Sequence, residues 1–533
     1  MRNRIGFPIL EALGMVLILL ATIVFTAQIG QYTQLREELP RGLVVAEVPV
    51  GGLSRAEAQA VVEEVYATPI NVTYRGQAIL LDPQAVNFTV NSESMFSEAD
   101  GLATQGEAFW AGFWDFLWRR PEQTTSIALE ATYSQELLNA WLADVAARYD
   151  SPPTEAQPAL DSLSFRAGEP GYTLDIEASR ARIDEALFEP LERSVELVID
   201  EQAQPQADID SLGDLLIDYV DASGFTGVAS VFVVDLQTGD ELELNIDTRD
   251  GGTPSLITCD IAYASMSTMK IPIMVDYFRH LERLPERDPQ RDDAYKLLIE
   301  TMTLSGNISA NFMMQSSGFG DLERGVENVT QTAQYLGLEN TFIVAGYDVE
   351  DPPEYYSTPA REAARDGSCV NTRPDAYMQT TIRDMALLLD MIYQCSEFGG
   401  GLTAAYPDAI TQADCQMMLE TMADNEEGVL ILAGVPQDID VAHKHGWISD
   451  THGDAGVVFT PGGDYVLVMT LWADVAWLNF QESFPVLQDI SAAVFNYFNP
   501  DRINDPRRGL SPLETGEELP PPPPPSDDEG DTS

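Results

Sequence analysis

The first hydrophobic pattern along the chain is an apolar run close to its start. Residues 12–29 carry no charge, and Arg2 and Arg4 precede them. The run is just long enough to cross a bilayer as a helix, and the preceding basic residues orient the N-terminus towards the cytoplasm. We therefore predict that residues 1–40 hold a cytoplasmic N-terminus, a membrane-spanning helix over 10–29 and a short stalk. A cleaved signal peptide is the alternative. In both cases the rest of the chain is exported.

Residues 41–208 alternate between short strand patterns and amphipathic helix patterns. The region opens with a strand, a glycine turn and a helix that starts after Ser54, which is a preferred N-cap residue. A β-hairpin pattern turns at Arg75-Gly76. We predict a separate α+β domain over 41–208, ended near Asp208 by a polar, proline-containing linker.

Tryptophan recurs at every fourth position of one segment in this region. The segment "FWAGFWDFLWRR" (109–120) holds Trp110, Trp114 and Trp118, and this spacing places them on one face of a helix. Two interpretations are open. The face is buried as in an ordinary amphipathic helix, or the helix lies in the membrane interface with its tryptophans at headgroup level.

The third region, 209–500, has strand patterns at both ends and helix patterns between them. One hairpin turns at 237–240 and a second at 461–463, while residues 265–430 follow mostly helical periodicity. We predict an α/β fold (an α+β sandwich) in which the terminal strands form an antiparallel sheet beside a central helical region.

Composition and net charge exclude one class of partner and single out a few residues for chemistry. The 533 residues include 29 Lys or Arg and 86 Asp or Glu, which gives a net charge of −57. Such a chain repels phosphate backbones, so we expect no nucleic-acid partner. Residues 501–533 end in "LPPPPPPSDDEGDTS" and predict a disordered, Pro-rich acidic tail. Among the basic residues only Lys270, Lys296 and Lys444 are lysines, and only lysine can lose its proton. For Lys296 we expect a solvated surface charge.

All four cysteines lie at or after residue 259 of the 533-residue chain. An exported protein permits disulfides, and the spacing is not that of a zinc ribbon or a Cys-x-x-Cys site. Four cysteines allow three pairings. We expect Cys395 to pair with Cys415, which leaves Cys259 with Cys369.

A serine and a lysine in "ASMSTMKIP" form the first candidate for chemistry. Ser267 and Lys270 are three residues apart, so a helix places both side chains on one face. Pro272 is tolerated only in a first turn, so the helix begins near Ser267. A serine needs a nearby base to attack a carbonyl group. Lysine supplies that base when burial or a second cation lowers its proton affinity.

Two later motifs complete the candidate site. Ser305 and Asn307 stand at the start of a predicted helix. Lys444, His445 and Gly446 lie on a predicted strand, where the glycine lets a substrate backbone approach closely.

In this order, Ser-x-x-Lys, Ser-x-Asn and Lys-x-Gly resemble the motif set of class A β-lactamases and penicillin-binding serine hydrolases. The resemblance covers about residues 211–500 and implies the β-lactamase/transpeptidase-like fold. It also implies that Ser267 is the acylated nucleophile, that Lys270 activates it, and that Ser305 relays a proton to the leaving nitrogen.

The same resemblance implies how substrate is bound. Lys444 would lower the proton affinity of Lys270 and attract the substrate carboxylate. The backbone N–H groups of Ser267 and Trp447 would form the oxyanion hole, and Asn307 would bind the substrate's side-chain amide. The implied substrate-binding residues are Asn307, His445, Gly446 and Trp447.

The sequence departs from the family pattern at three places. Gly306 replaces the acidic residue of Ser-Asp-Asn, and His445 replaces the Thr or Ser of Lys-Thr-Gly. Class A enzymes also carry a deacylating glutamate in a Glu-x-x-x-Asn frame, which residues 347–371 lack. The glutamates there are Glu350, Glu354 and Glu362. Without that base an acyl-enzyme would persist.

A second resemblance covers about residues 41–208. The pieces 48–58, 151–158 and 168–175 resemble a peptidoglycan-binding domain found in bacterial envelope proteins. It implies a module that faces the cell wall and binds peptidoglycan.

The histidines offer a rival interpretation. His443, His445 and His452 could bind zinc, but Trp447 occupies the acidic position of a His-x-His-x-Asp site. We therefore predict no metal and no cofactor.

Together these patterns predict a single-pass protein of the cell membrane with an extracytoplasmic catalytic domain. The predicted reaction opens a β-lactam ring through an acyl-enzyme on Ser267. The alternatives are a D-Ala-D-Ala peptidase or penicillin-binding protein acting on peptidoglycan stem peptides, and a sensor that does not turn over. The oligomeric state stays open.

Overall fold

A computed structural model describes residues 7–36, 38–105, 109–119, 124–348, 355–425 and 429–504. Outside these ranges lie residues 505–533 of the predicted acidic tail, the basic residues Arg2 and Arg4, and the glutamates Glu350 and Glu354. The chain divides into two compact units. Unit 1 comprises residues 1–154 and 169–205, and unit 2 comprises 155–168 and 206–533. The domain boundaries predicted from the sequence remain predictions.

The elements of the first part of the chain are α1 (Phe7–Leu35), β1 (Leu43–Val45), β2 (Val48–Pro49), α2 (Arg55–Ala67), β3 (Ile70–Tyr74), β4 (Gln77–Leu81), a 3-10 helix (Pro83–Val86), β5 (Thr89–Val90), α3 (Ser92–Gln105), α4 (Phe109–Leu117), β6 (Thr125–Ile127), β7 (Ala131–Thr132), α5 (Gln135–Tyr149), β8 (Gln157–Ala159), β9 (Ser164–Arg166), β10 (Gly171–Leu174), α6 (Ile176–Phe188), β11 (Ser194–Glu196) and β12 (Ile199–Gln202).

Helix α1 contains an apolar segment that is exposed throughout. Among the described residues one helix is long and apolar enough to cross a membrane, over Ala12–Gln34 with a mean hydropathy of 2.3. None of that segment is buried. Its length and composition fit either a membrane anchor or a signal peptide.

The rest of unit 1 is a mixed α/β structure made of small sheets and helices. Its sheets have the strand orders β2-β1-β6, β11-β3-β4, β10-β12 and β5-β7. The predicted N-cap is confirmed, because Ser54 and Glu57 form a reciprocal capping box at the start of α2. The predicted hairpin is confirmed too. Tyr74 pairs with Gln77, and both turn residues, Arg75 and Gly76, have positive φ.

The elements of the second part are α7 (Ile209–Ser223), β13 (Val228–Asp235), β14 (Glu241–Asp247), β15 (Ser255–Leu256), β16 (Tyr263–Ala264), a 3-10 helix (Met266–Met269), α8 (Lys270–His280), α9 (Asp293–Met302), α10 (Asn307–Ser317), α11 (Leu322–Tyr335), β17 (Phe342–Ile343), α12 (Pro359–Asp366), β18 (Met378–Thr380), α13 (Ile382–Phe398), α14 (Gly401–Ala405), α15 (Gln412–Ala423), α16 (Ile431–Gly434), β19 (Asp440–Trp447), β20 (Thr451–Phe459), β21 (Tyr465–Trp472) and α17 (Phe480–Phe498).

Unit 2 is a sandwich around one antiparallel sheet with the order β15-β14-β13-β21-β20-β19. Strands from the two ends of the region thus meet in its centre, where β13 pairs with β21. One sheet face packs on α7 and α17, and the other packs on the helices from the middle of the region. The predicted α/β (α+β) sandwich with a sheet of terminal strands is confirmed.

The hairpin β8–β9 belongs to unit 2 although it precedes the predicted linker. Leu163 is buried in the core that α17 forms, and the side-chain amide of Asn496 donates to its carbonyl at 2.9 Å. Burial of Leu163 explains why the hairpin packs with unit 2, although the strands that follow it in sequence belong to unit 1.

Both expected disulfides are confirmed. Cys259 pairs with Cys369 across 110 residues, and Cys395 pairs with Cys415 across 20. The first links the segment before β16 to the segment after α12, so it ties the two chain segments that flank the helices of the site.

Candidate active site

Ser267 lies at the start of a helix directly after a short strand. It occupies the 3-10 helix Met266–Met269, which continues into α8. Pro272 falls in the first turn of α8 as predicted, where its missing N–H costs no hydrogen bond. Ser267 is half-buried, and N–H groups in a first helical turn point towards any charge that develops there.

Lys270 is fully buried and touches every hydroxyl of the site. Its Nζ lies 2.7 Å from Ser267 Oγ, 3.2 Å from Ser305 Oγ and 3.0 Å from the Ser305 carbonyl. Asn307 Oδ1 accepts a further hydrogen bond from it at 3.0 Å. Burial, and then the charge of Lys444, lower the pKa of Lys270 to about 7, while Asp348 acts in the opposite sense. At neutral pH a large share of this amine is therefore uncharged and able to take a proton.

Ser305 completes a triangle with the other two side chains. Its Oγ donates to Ser267 Oγ at 3.0 Å, and its backbone has a positive φ of 54°. Asn307 is the first residue of α10. The glycine between them fits tightly, because a Cβ at Gly306 would lie 2.5 Å from Ser309 Oγ and 3.1 Å from the Glu300 carbonyl. This crowding explains why no larger residue stands there.

Strand β19 faces Ser267 through alternate residues. A Cβ at Gly446 would lie only 2.6 Å from the Ser267 backbone nitrogen, so this face is turned towards the nucleophile. Lys444 is two residues away on the same face and is fully buried. Its Nζ donates to the His445 carbonyl at 3.3 Å.

His445 points to the other face of the sheet. Its ring stacks on Trp447 at 5.0 Å, and Trp447 packs against Phe480 and Phe484 of α17. Burial, and then the charge of Lys444, hold the pKa of His445 well below its usual range. The structure therefore brings together all the predicted catalytic side chains but leaves the imidazole of His445 away from them. The side chain alternates with Lys444 along the strand, and this alternation decides its direction.

The backbone of Trp447 points towards the open edge of β19. Ile448 N–H donates to the Thr451 carbonyl at 2.8 Å across the β19–β20 hairpin. In an antiparallel ladder hydrogen-bonded pairs alternate, so the pair Trp447 and His452 turns its N–H groups outward. β19 is the last strand of the sheet, so the Trp447 N–H faces the side where Gly446 meets Ser267. This geometry fits an oxyanion hole.

The three histidines of the rival interpretation lie in the core and do not converge on a common centre. His443 Nδ1 lies 2.9 Å from the carboxylate of Asp454, and His452 Nδ1 lies 2.6 Å from Ser483 Oγ. Across the described ranges no group of three or more His, Cys, Asp or Glu side chains is arranged to hold a metal ion.

The loop after β17 supplies a residue that the sequence patterns did not single out. The ring of Tyr347 lies 4.7 Å from Lys270 Nζ, and its hydroxyl donates to the Met266 carbonyl at 3.3 Å. Asn311 fixes this loop through both backbone groups of Tyr347, at 2.8 and 3.0 Å. A single aromatic residue in a loop carries no periodic signal, so the sequence patterns do not predict this contact.

Glu362 is the one glutamate of the 347–371 segment within the described ranges. It accepts hydrogen bonds from Tyr355 at 2.9 Å and Ser357 at 2.8 Å, and it pairs with Arg365 at 2.7 Å. The Ser357 and Tyr355 hydroxyls lower its pKa, so this carboxylate is ionised and held by neighbours on its own surface segment.

Comparison with known families assigns two parts of the chain. Residues 286–498 match the family model described as "Beta-lactamase enzyme family". Residues 115–196 match the one described as "Putative peptidoglycan binding domain". The first match contains Ser305, Asn307 and Lys444 and begins after Ser267 and Lys270. The comparison with curated proteins gives no match.

The comparison with solved structures gives distant matches. A structure titled PBP-A is 20% identical, covers 56% of this chain and 98% of its own, and has a TM-score of 0.39. An ancestral class A β-lactamase is 19% identical with 54% and 99% covered and a TM-score of 0.38. A β-lactamase from Sphaerobacter thermophilus is 15% identical with 55% and 99% covered and a TM-score of 0.36. Residues 286–498 are thus similar to the β-lactamase enzyme family, and residues 115–196, which precede them, are similar to the peptidoglycan-binding domain family.

Proposed function

We propose that this protein is a membrane-anchored, extracytoplasmic serine hydrolase that opens a β-lactam ring through an acyl-enzyme on Ser267. The observation that carries the proposal is the buried amine of Lys270, which lies 2.7 Å from Ser267 Oγ and 3.2 Å from Ser305 Oγ. A base with a pKa near neutrality beside a hydroxyl is the arrangement that activates a serine.

The acylation step follows from these contacts. Ser267 Oγ attacks the lactam carbonyl carbon while Lys270 accepts the hydroxyl proton. The backbone N–H groups of Ser267 and Trp447 stabilise the oxyanion that forms. When the carbon–nitrogen bond breaks, Ser305 gives its proton to the nitrogen and regains one from Lys270. Water then hydrolyses the ester and restores the Ser267 hydroxyl.

Lys444 adds charge where the substrate requires it. Its buried ammonium attracts the carboxylate of a β-lactam and lowers the pKa of Lys270. Asn307 Oδ1 is held by Lys270 at 3.0 Å, which leaves the amide nitrogen of its side chain to donate to the substrate. Gly446 lets the backbone of Ser267 lie close to strand β19, because a Cβ at Gly446 would lie 2.6 Å from the Ser267 nitrogen.

A D-Ala-D-Ala peptidase that acts on peptidoglycan stem peptides is the second candidate. Two observations favour it. Residues 115–196 match a peptidoglycan-binding family, and Glu362 is occupied by Tyr355, Ser357 and Arg365. Slow deacylation would then give a penicillin-binding protein, or a sensor that stays acylated.

Steady-state assays of the purified full chain separate these candidates. We expect hydrolysis of a chromogenic cephalosporin, lost at least about a thousandfold in Ser267→Ala because the nucleophile is gone. Ser316→Ala, a change at an exposed serine of the same helix α10, is the matched control and should retain activity. Release of D-alanine from a Lys-D-Ala-D-Ala peptide without cephalosporin turnover would establish the second candidate instead. Equal activity of Ser267→Ala and the unmodified protein would contradict both.

A further inference from the structure

We propose that helix α4 binds the outer-leaflet interface of the membrane through its tryptophan face, defined as Trp110, Trp114 and Trp118. These side chains are 55%, 51% and 72% exposed. The tryptophan face is therefore not buried in the protein core, which excludes the first of the two interpretations of this segment. Three large aromatic side chains on one exposed helix face are unusual on a soluble surface.

The adjoining face of α4 packs on the apolar helix α1, and Trp110 at its border also stacks on Phe25, with ring centroids 6.4 Å apart. Phe113 is fully buried, with ring centroids 5.4 Å from Phe25 and 5.5 Å from Tyr32. Phe109 and Phe116 also contact Tyr32, at 5.3 and 5.5 Å. A face of phenylalanines therefore holds α4 against α1, so the tryptophan face has a fixed position relative to the membrane-spanning segment.

The contact lies at the end of α1 that leaves the membrane. Phe25 and Tyr32 belong to the C-terminal half of the apolar segment Ala12–Gln34, and Arg36 lies over the Phe109 ring at 5.6 Å. With the N-terminus in the cytoplasm, this end lies in the outer leaflet. Phe25 and Tyr32 are separated by about 10 Å along the helix axis, within an apolar layer about 30 Å thick. The tryptophans then reach headgroup depth, the position that indole rings favour.

Charge and surface favour lipid over other occupants. No residue of the apolar segment of α1 is fully buried, so the tryptophan face adjoins a large exposed apolar surface that the hydrocarbon of a membrane would cover. The chain has a net charge of −57, so apolar area rather than attraction to anionic lipid must supply the binding. Zwitterionic phosphatidylcholine therefore suffices as the partner. The proposal rests on the membrane anchor of the proposed function and is independent of the chemistry at Ser267.

Depth-dependent fluorescence quenching tests this contact. The full chain is reconstituted into phosphatidylcholine vesicles whose acyl chains carry bromine either near the headgroup or near the bilayer centre. We expect emission to fall more with the shallow bromine. The triple variant Trp110→Phe, Trp114→Phe, Trp118→Phe should lose most of this quenching. Trp141→Phe, a change in α5, is the matched control and should keep it.

Flotation of the same samples separates failure of the anchor from failure of the contact. Vesicles that float without the protein would show that α1 does not insert, which overturns the proposal together with the anchor. Protein that floats but shows equal quenching in the unmodified chain and the triple variant would overturn the tryptophan contact alone. Tryptophans shielded from aqueous acrylamide only after purified peptidoglycan is added would also overturn it, in favour of a wall ligand. If the triple variant fails to fold, the three single Trp→Phe variants replace it, and each must lower the shallow quenching.

Discussion

At the scale of single residues, the proposed mechanism depends on the protonation of Lys270. Ser267 can transfer its hydroxyl proton only to an uncharged Lys270 amine. An ordinary lysine is charged until far above neutral pH and cannot accept a proton from serine. Burial and the neighbouring Lys444 lower the pKa of Lys270 to about 7. The chain contains only three lysines, and two of them face each other across this site.

The first prediction concerns the pH dependence of acylation. Because the neutral amine is the base, the acylation rate should rise with pH and level off above about 7, as the Lys270 pKa requires. Lys444→Ala removes a nearby positive charge, so the pKa of Lys270 should rise and the profile should move to higher pH. Stopped-flow acylation by a penicillin measures the shift. Lys296→Ala, a change at an exposed lysine paired with Glu300, is the control. An unmoved profile in Lys444→Ala would contradict this electrostatic coupling.

The second prediction concerns the space at Gly446. A methyl group there would lie 2.6 Å from the Ser267 backbone nitrogen, so Gly446→Ala should displace one oxyanion donor. Loss of one such donor lowers the rate by about 100- to 1000-fold. Gly252→Ala, where an added Cβ has open space, should acylate normally. Acylation of Gly446→Ala within about threefold of the unmodified rate would show that the donor does not lie there.

The candidate catalytic residues can be predicted from the sequence because they lie within short motifs. Ser267 and Lys270 share a helix face at a separation of three residues, and Ser305 and Asn307 bracket one helix start. The orientation of the His445 side chain could not be predicted in the same way. Its neighbour Lys444 faces the nucleophile, so strand alternation turns the imidazole to the α17 side. Tyr347 was missed because its contact with Lys270 depends on the path of a loop.

At the scale of elements, the edge strand β19 and the 3-10 helix Met266–Met269 lie side by side and form one wall of the candidate site. The strand presents Gly446 and the Trp447 N–H to Ser267, while α10 presents Ser305 and Asn307 from the other side. The sheet and hairpins followed from hydrophobic alternation. The membership of β8–β9 in unit 2 did not, because it depends on where Leu163 is buried.

The third prediction concerns the contribution of the two disulfides to the free energy of unfolding. Cys259–Cys369 closes 110 residues and Cys395–Cys415 closes 20. Loop-closure entropy makes the longer link more stabilising by about 1.5 kcal/mol. The double variant Cys259→Ser, Cys369→Ser should therefore lose more free energy of unfolding than Cys395→Ser, Cys415→Ser. Urea unfolding of the full chain measures both. The reverse order would show that local packing, rather than chain entropy, sets the contribution of each disulfide.

At the scale of the whole molecule, an exposed apolar helix, a wall-family segment and a β-lactamase-family domain occur in one acidic chain. This order suits an enzyme that is anchored at the outer face of the cell membrane and directed to the cell wall. Composition and motif order predict this arrangement, and the family matches support its two domains; the position at the membrane stays a prediction. The substrate cannot be predicted in the same way, because β-lactamases and penicillin-binding proteins share this motif set.

Locating the acyl group tests the central claim most directly. The full chain is mixed with a penicillin, quenched at short times, digested, and mapped by mass spectrometry. We predict one added penicilloyl mass, confined to the peptide that contains Ser267 and absent in Ser267→Ala. The control variant Ser316→Ala, at an exposed position of α10, should carry the same adduct as the unmodified protein. An adduct on any other residue, or one that persists in Ser267→Ala, would contradict the assignment of Ser267 as the nucleophile.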